Sequence, residues 1–280
     1  MQYDLIGVHV DNVDFFKEAF TQGVRTFQMF LSSPTQWEVP RYQRFLEMSK
    51  YLVKNKSSSD NVNIVIHLPF IFTLIKETHK AFILKYCLDI DKKMSFMVDK
   101  YGINIYLVSH CGAYNPELSY EENIKELSYI SQEFYRQSSK KIKFTYENDP
   151  GSKKSTKIGV VKNLLQLQGN YKNVYITYDT EHAYADGDDL TDKTYLNKVL
   201  SNASLVHLNS IPYFVKQGSH LDRHSETYIN SGKLQLQLLR IAHYCLENNI
   251  PMILERSESI SLEDRAWLIK TIEDKFYAAK

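Results

Sequence analysis

Ile142-Lys143-Phe144-Thr145-Tyr146-Glu147 is a short, largely apolar run that ends on a carboxylate, and the repetition of this pattern decides the fold. Six further runs end on a histidine or a carboxylate: Ile6 to His9, Ile64 to His67, Tyr106 to His110, Val174 to Asp179, Leu205 to His207 and Met252 to Glu255. Short apolar runs of this kind are typical of buried strands. If the strands are parallel, their C-terminal ends meet at one edge, so the polar ends are expected to converge on a common site.

Longer amphipathic stretches separate the runs, which indicates βα units around a parallel sheet. Strands are predicted near residues 5–10, 25–30, 62–67, 103–109, 142–147, 173–178, 204–208 and 251–255. Helical patterns include Lys17 to Gln22, Arg41 to Lys54, Ile75 to Lys100, Tyr120 to Gln137, Leu234 to Asn248 and Leu262 to Tyr277. Eight such units predict an α/β fold, a (β/α)8 TIM barrel with its active site at the C-terminal ends of the strands. The polar stretches between units are short, so residues 1–280 are expected to form a single domain.

Composition narrows the class of protein. The net charge of +1 does not predict an extended basic surface, so a nucleic-acid partner would have to be held by local loops and bound metal ions. Cys87, Cys111 and Cys245 show no CxxC spacing, which argues against a disulfide framework and for small buried hydrophobes in a reducing compartment. No leader and no long apolar stretch is visible, so a soluble intracellular protein is expected, in cytoplasm or nucleus depending on its source. Neither a membrane nor an obligate protein partner is indicated.

The side chains at and beside the strand ends form a mixed set of potential metal ligands. Five are histidines and four are carboxylates: His67, His110, Glu147, Asp179, His182, His207, Asp222, His224 and Glu255. Such a mixture suits Zn²⁺ or Mn²⁺ better than Mg²⁺, which prefers oxygen ligands. A lone histidine at a strand end is more often structural, but this many at equivalent positions is improbable by chance. Nine ligands with one bridging carboxylate can serve three ions.

At these positions the chain resembles endonuclease IV, the family 2 apurinic/apyrimidinic (AP) endonucleases. Nine segments resemble successive motifs of the family, in order from the first strand to the last: Ile6 to His9, Phe27 to Leu31 with Trp37 after it, His67, His110 to Gly112, Tyr146 to Asn148, Tyr178 to Ala183, Val206 to Asn209, Leu221 to His224 and Pro251 to Glu255. The resemblance implies a TIM barrel with a trinuclear zinc centre. It implies base-excision repair of double-stranded DNA, by hydrolysis of the phosphodiester 5′ to an abasic site that leaves a 3′-hydroxyl and a 5′-deoxyribose phosphate. Trimming of 3′ ends and exonuclease activity are also compatible with such a site.

The same resemblance implies a role for each ligand. The first zinc would be held by His67, His110 and Glu147. The second would be held by Glu147, Asp179, His207 and Glu255, and the third by His182, Asp222 and His224, with Mn²⁺ as an alternative metal at one site. Glu147, as the bridging ligand, and Glu255, which would orient or deprotonate the attacking water, are the expected catalytic residues.

Departures from the family pattern lie in the parts that would contact DNA. The second-strand loop has Thr35 where the family usually has an arginine, and Phe70 stands in place of a tyrosine. Asp11 to Asp14 replaces a glycine-rich stretch, and Asn209-Ser210 lacks an intervening aspartate. The expected DNA contacts are His9, Ser33, Thr35, Gln36, Phe70, Asn209 and Arg223.

Two other functions stay open at this point. Sugar isomerases and epimerases are related barrels that hold one or two divalent ions at the same end, although they usually lack a third cluster such as His182 with Asp222 and His224. A non-enzymatic DNA-binding or scaffold protein is a further alternative. The presence of all nine ligands argues against it.

Overall fold

Eight parallel strands close into a barrel in the order of the chain. The computed structural model describes residues 3–151, 158–223 and 228–278. The strands are β1 (Ile6–His9), β2 (Thr26–Phe30), β3 (Val62–His67), β4 (Ile103–His110), β5 (Ile142–Glu147), β6 (Tyr175–Asp179), β7 (Ala203–His207) and β8 (Met252–Leu254). Each strand pairs with the next, and β8 pairs with β1. The predicted TIM barrel is confirmed.

The helices are α1 (Val13–Thr21), α2 (Gln43–Asn55), α3 (Glu77–Met94), α4 (Phe96–Tyr101), α5 (Tyr120–Gln137), α6 (Val161–Asn170), α7 (Thr180–Asp186), α8 (Lys193–Leu200), α9 (Gln235–Glu247) and α10 (Glu258–Ile272). Short 3₁₀ turns at Tyr3–Leu5 and Ile229–Ser231, and a π turn at Glu273–Tyr277, complete the described elements.

Three predicted helices differ from the observed ones. The last of them begins at Glu258 rather than Leu262 and ends at Ile272, before the π turn, and the other two differ for local reasons. The first helix begins at Val13 rather than Lys17, because the Asn12 side chain accepts a hydrogen bond from the Phe15 amide and caps the earlier turn. The predicted helix from Ile75 to Lys100 is two helices, α3 and α4, which meet at Ser95. The helix at Tyr120–Gln137 has the predicted bounds and begins at a capping box of Ser119 and Glu122.

Inside the barrel, an apolar layer lies beneath the strand ends. Val65, Val108, Leu205 and Ile253 belong to one buried cluster together with Tyr106. Each of the first four lies two residues before an expected ligand, and residues two apart on a strand point to the same side. These four residues therefore form an apolar patch directly beneath four of the expected ligands.

Close packing also restricts the first pair of strands. A Cβ atom added at Gly7 would lie 2.3 Å from the Thr26 carbonyl oxygen, so β1 can pass β2 at this distance only with glycine there. The three cysteines are all buried and none forms a disulfide, as predicted. Among the helices described, none is long and apolar enough to cross a membrane.

Candidate metal centre

Glu147 lies at the middle of the polar barrel mouth, and both of its carboxylate oxygens face histidines. Its Oε2 is 3.0 Å from His67 Nε2 and 3.2 Å from His110 Nε2. Its Oε1 is 2.8 Å from His207 Nδ1 and 3.6 Å from His182 Nδ1. One fully buried carboxylate thus joins two groups of potential ligands.

The ends of β6, β7 and β8 supply the second group. Asp179, His207 and Glu255 lie with Glu147 so that one ligand atom of each is within 4.8 Å of the others. His207 Nδ1 is 3.3 Å from Glu255 Oε2 and 3.9 Å from Asp179 Oδ2. His67, His110 and Glu147 satisfy the same distance criterion. The structure therefore brings together the two sets of residues expected for the first two ions.

The third expected set is described only in part. His182 Nε2 is 3.4 Å from Asp222 Oδ2 on the loop after β7, whereas His224 lies outside the described residues. The geometry also groups His182 with Asp179 and with Glu181, a buried carboxylate that the sequence analysis did not select. Glu181 directly precedes the expected ligand His182, and this position is the sequence feature that could have identified it as a further ligand.

Hydrogen bonds fix the ring orientation of three of the histidines. The Nδ1 atoms of His67 and His182 donate to the backbone oxygens of Leu68 and Asn148, each at 2.8 Å. A carbonyl oxygen can only accept, so Nδ1 must carry a proton, and Nε2 is the ring nitrogen that faces the other ligands and can bind a cation once it is unprotonated. His110 Nδ1 is likewise 2.9 Å from Asp149 Oδ1, a fully buried carboxylate. Metal-binding histidines are usually held by their second nitrogen in this way.

The electrostatic field of the site favours positive charge. Burial by itself lowers the pKa of His207, but Glu255 and Glu147 overcome that effect and raise the pKa to about 9. For Glu147, burial acts to raise the pKa, yet the neighbouring His110 and His207 hold the pKa of the carboxyl well below its usual value. Burial also opposes protonation of His182, while Asp179 and Asp222 raise the pKa of that imidazole well above its normal range.

This donor set fits divalent metal ions. Imidazole nitrogens and carboxylate oxygens converge from different strands, the ring orientations are fixed, and the field stabilises a cation. Cys111, whose sulfur could be a soft ligand, lies 3.9 Å from the Glu147 backbone oxygen and belongs to none of the ligand groups found among the described residues. The geometry supports a centre of nitrogen and oxygen ligands.

A cavity of about 270 Å³ opens above these groups. His9, Phe30 and Phe70 form an aromatic part of its wall, and Phe70 is 50% exposed. The Phe70 ring contacts His67 edge-on, with centroids 5.1 Å apart. A neighbouring cleft of about 880 Å³ shares His9 and Phe30 with this cavity and extends along the loop after β2. The two cavities therefore lie side by side at the barrel mouth, and the smaller one borders the ligand groups.

The residues expected to contact DNA differ in their exposure to solvent. Ser33 and Gln36 line the larger cleft, Thr35 is exposed beside them, and Arg223 is exposed next to Asp222. Asn209, by contrast, is fully buried, which corrects its interpretation as a DNA contact. Its amide is hydrogen-bonded among Asp179, Glu255 and Arg256.

Several residues beneath the ligands escaped the sequence analysis. Gln28 Nε2 donates to Glu255 Oε1 at 2.6 Å, Asp149 holds His110, and the buried Arg256 lies next to Glu255. Asp149 lies two residues after Glu147, a spacing that places both on one side of an extended chain. Gln28 gave no comparable signal, since its contact joins β2 to the end of β8.

Known proteins resemble this chain in sequence and in fold. The chain is 28% identical over 251 residues to a probable endonuclease 4 from Metamycoplasma arthritidis, which covers 85% of the chain and 86% of that protein. No family model matches. The fold of the chain is similar to the crystal structure of endonuclease IV from Thermus thermophilus, with a TM-score of 0.70, 22% identity and coverage of 96% and 97% of the two chains.

The barrel is also similar to that of a D-tagatose 3-epimerase-like protein, with a TM-score of 0.65, 16% identity and coverage of 96% of this chain and 98% of that one. At such identities the structural similarity shows the shared barrel and does not separate nuclease from epimerase. The sequence similarity is to a probable endonuclease 4, and the solved structures show that the barrel fold is shared.

Proposed function

We propose that residues 1–280 form a single AP endonuclease domain that acts on double-stranded DNA containing abasic sites. The reaction is hydrolysis of the phosphodiester 5′ to the abasic site, with a 3′-hydroxyl and a 5′-deoxyribose phosphate as the new ends. Removal of 3′-blocking groups and exonuclease activity are further reactions that the same site could catalyse. Because its substrate is DNA, the protein is proposed to act inside the cell, in a compartment that contains DNA.

The single observation that carries this proposal is the position of Glu147 between two groups of ligands. His67 and His110 face one of its oxygens and His207 faces the other. A carboxylate shared in this way can bridge two adjacent cations, the arrangement used in many two-metal phosphoesterases. His182 and Asp222 then begin a third set next to the first two.

Zinc is the metal we propose, three ions per chain, with Mn²⁺ as the alternative at one site. The proposed ligands are His67, His110, Glu147, Asp179, His182, His207, Asp222, His224 and Glu255. When bound, such ions supply Lewis-acid stabilisation of a phosphate and make water acidic enough to react at neutral pH.

The protein side chains position the reactants. Glu255 is held by Gln28 on Oε1 and by Asn209 on Oε2, so its carboxylate has a fixed direction for orienting or deprotonating the attacking water. His9 and Phe70 border the opening, where they would contact the sugar and the bases that flank the missing one. The cost of bringing a sugar out of the stack is lowest where base pairing is already lost.

A sugar epimerase is the second candidate, and the similarity to the D-tagatose 3-epimerase-like barrel favours it. The observation against it is the approach of Asp222 to His182, which adds carboxylate and imidazole ligands beyond the two groups around Glu147. An epimerase needs no such addition.

Incision of a duplex with one tetrahydrofuran abasic analogue tests the proposal, because this analogue cannot break by β-elimination. The zinc-loaded protein is expected to cut on the 5′ side and to leave a 3′-hydroxyl that a polymerase can extend. Chelation of the metal is expected to stop cutting, and added zinc to restore it. No incision by folded protein with its full zinc content would sink the proposal, and epimerisation of a ketose would then support the alternative.

Asp149→Asn is expected to weaken zinc binding by about 10-fold, and Asp149→Ala by up to about 100-fold, as is typical for residues that support a metal-bound histidine. The asparagine retains an acceptor for His110 Nδ1 but loses the negative charge that makes the imidazole a stronger ligand. Competition with a chromophoric chelator measures the affinity. Asp99→Asn, which alters a surface pair with Lys141, is the matched control. Equal zinc affinities in all four proteins would contradict the role of Asp149.

A further inference from the structure

We infer that Arg256 is a positioning residue for the second proposed metal site. It fixes the orientation of the Asn209 amide, and through that amide it sets the directions of the ligands Asp179 and Glu255. The inference rests on the proposed metal centre and adds a residue that none of the expected ligand sets contains.

Arg256 is held firmly beneath the barrel mouth. Its guanidinium is fully buried, its Nε lies 3.2 Å from Asp264 Oδ2 on α10, and its Nη1 lies 3.1 Å from Asn209 Oδ1. Burying an isolated charge would be strongly unfavourable. The ion pair with Asp264 offsets this cost and allows the guanidinium to be buried here. The paired carboxylate also offsets the positive charge that would otherwise oppose a cation at the neighbouring ligands.

The orientation of Asn209 follows from its partners. An arginine can only donate hydrogen bonds, and so can the Glu255 amide, which lies 3.2 Å from the same Asn209 oxygen. The carboxamide oxygen must therefore face Arg256, which leaves the NH₂ group to face the other way. That group donates to Asp179 Oδ2 and, at 2.7 Å, to Glu255 Oε2.

A flipped amide would reverse this pattern. The Asn209 oxygen would then face the two carboxylates, and its NH₂ group would face the guanidinium and a backbone N–H. Each contact would become repulsive in a buried place where water cannot compensate. Arg256 and the Glu255 amide thus act together to make one orientation of Asn209 the stable one, and in that orientation the NH₂ group occupies one lone pair of each carboxylate and leaves the others for a cation.

The same ion pair joins this network to a distant part of the chain. Asp264 Oδ1 accepts the backbone N–H of Ile229 at 3.0 Å. The network therefore connects the end of β8, helix α10 and the turn at Ile229–Ser231. A fixed guanidinium at this junction gives the ligands of the second site a rigid support.

Zinc affinity, measured by competition with a chromophoric chelator, tests the inference in the full-length protein. Arg256→Met is expected to weaken one class of zinc sites by about 10- to 100-fold, the range typical of residues that orient metal ligands. Asn209→Ala is expected to have a similar effect. Because Arg256 acts through Asn209, the double variant should bind zinc about as weakly as the weaker single variant, not with the product of the two losses. Arg256→Lys, which keeps a donor, should recover part of the affinity.

Arg265→Met is the matched control, because Arg265 is another buried arginine that lies on α10. Its guanidinium binds the backbone oxygens of Ile6 and Tyr3 at the opposite end of the barrel. The substitution should lower the thermal stability of the zinc-free protein without changing zinc affinity. Unchanged affinity in Arg256→Met, or multiplicative losses in the double variant, would overturn the inference and leave Arg256 as a structural ion-pair partner. Failure of the wild-type protein to bind zinc would instead overturn the proposed centre and the inference with it.

Discussion

Replacing Glu147 by alanine is expected to lower incision of the tetrahydrofuran duplex by at least about 10³-fold, because the change removes the carboxylate common to two ligand groups. Loss of metal ions at a phosphodiester removes several kcal/mol of transition-state stabilisation, and about 4 kcal/mol corresponds to this factor. We also expect fewer zinc ions per chain, since His67, His110 and His207 would no longer share a negatively charged partner. Single-turnover incision and metal analysis of the dialysed protein measure the two effects.

Glu18→Ala is a suitable control for this experiment. Glu18 is exposed on α1, near the end of the helix that leads into β2 and hence away from the barrel mouth. Its replacement should leave zinc content and cutting unchanged. If Glu147→Ala kept both its zinc and its cutting rate, Glu147 would not be a bridging ligand.

The barrel could be predicted from the sequence because the relevant signal is local and repeated. Each apolar run is a strand with a polar residue at its end, and the alternation of side-chain directions along a strand places residues such as Val65 and His67 on the same interior side. The start of α1 at Val13 is set by the side-chain cap at Asn12. The apolar pattern does not reveal this cap, and it places the start of the helix four residues later, at Lys17. No proline or glycine marks the break at Ser95, so the sequence pattern predicts one continuous helix there.

The ligands were easier to identify than the residues that support them. A ligand such as Glu147 lies at a strand end, where topology alone brings it to the centre. The support of Glu255 by Gln28 joins residues 227 positions apart, and the support of Asn209 by Arg256 depends on a loop conformation that no periodicity encodes. Asn209 follows a strand end and is therefore predicted to contact DNA. Its side chain is instead buried, and its amide group is already engaged in hydrogen bonds inside the barrel mouth.

Glu255→Gln is expected to reduce the single-turnover incision rate by about 10²- to 10⁴-fold, the usual contribution of a general acid or base. Glutamine has nearly the shape of glutamate, so the cavity and the DNA-facing surface should be preserved. It cannot take a proton from water, however, and its NH₂ group must oppose the donor of either Gln28 or Asn209, which now bind the two carboxylate oxygens. The enzyme concentration that gives half the maximal rate should change by less than about 10-fold if the carboxylate acts mainly in the transition state.

The zinc content decides how a slow Glu255→Gln variant is understood. Full zinc content with slow cutting and normal half-saturation assigns Glu255 to the chemical step, because binding and metal occupancy are then both intact. Loss of a zinc ion with slow cutting assigns the defect to ligation, since glutamine is a weaker ligand than a carboxylate. Cutting at nearly the wild-type rate would remove Glu255 from catalysis altogether, and the carboxylate held by Gln28 and Asn209 would then be a structural part of the barrel mouth.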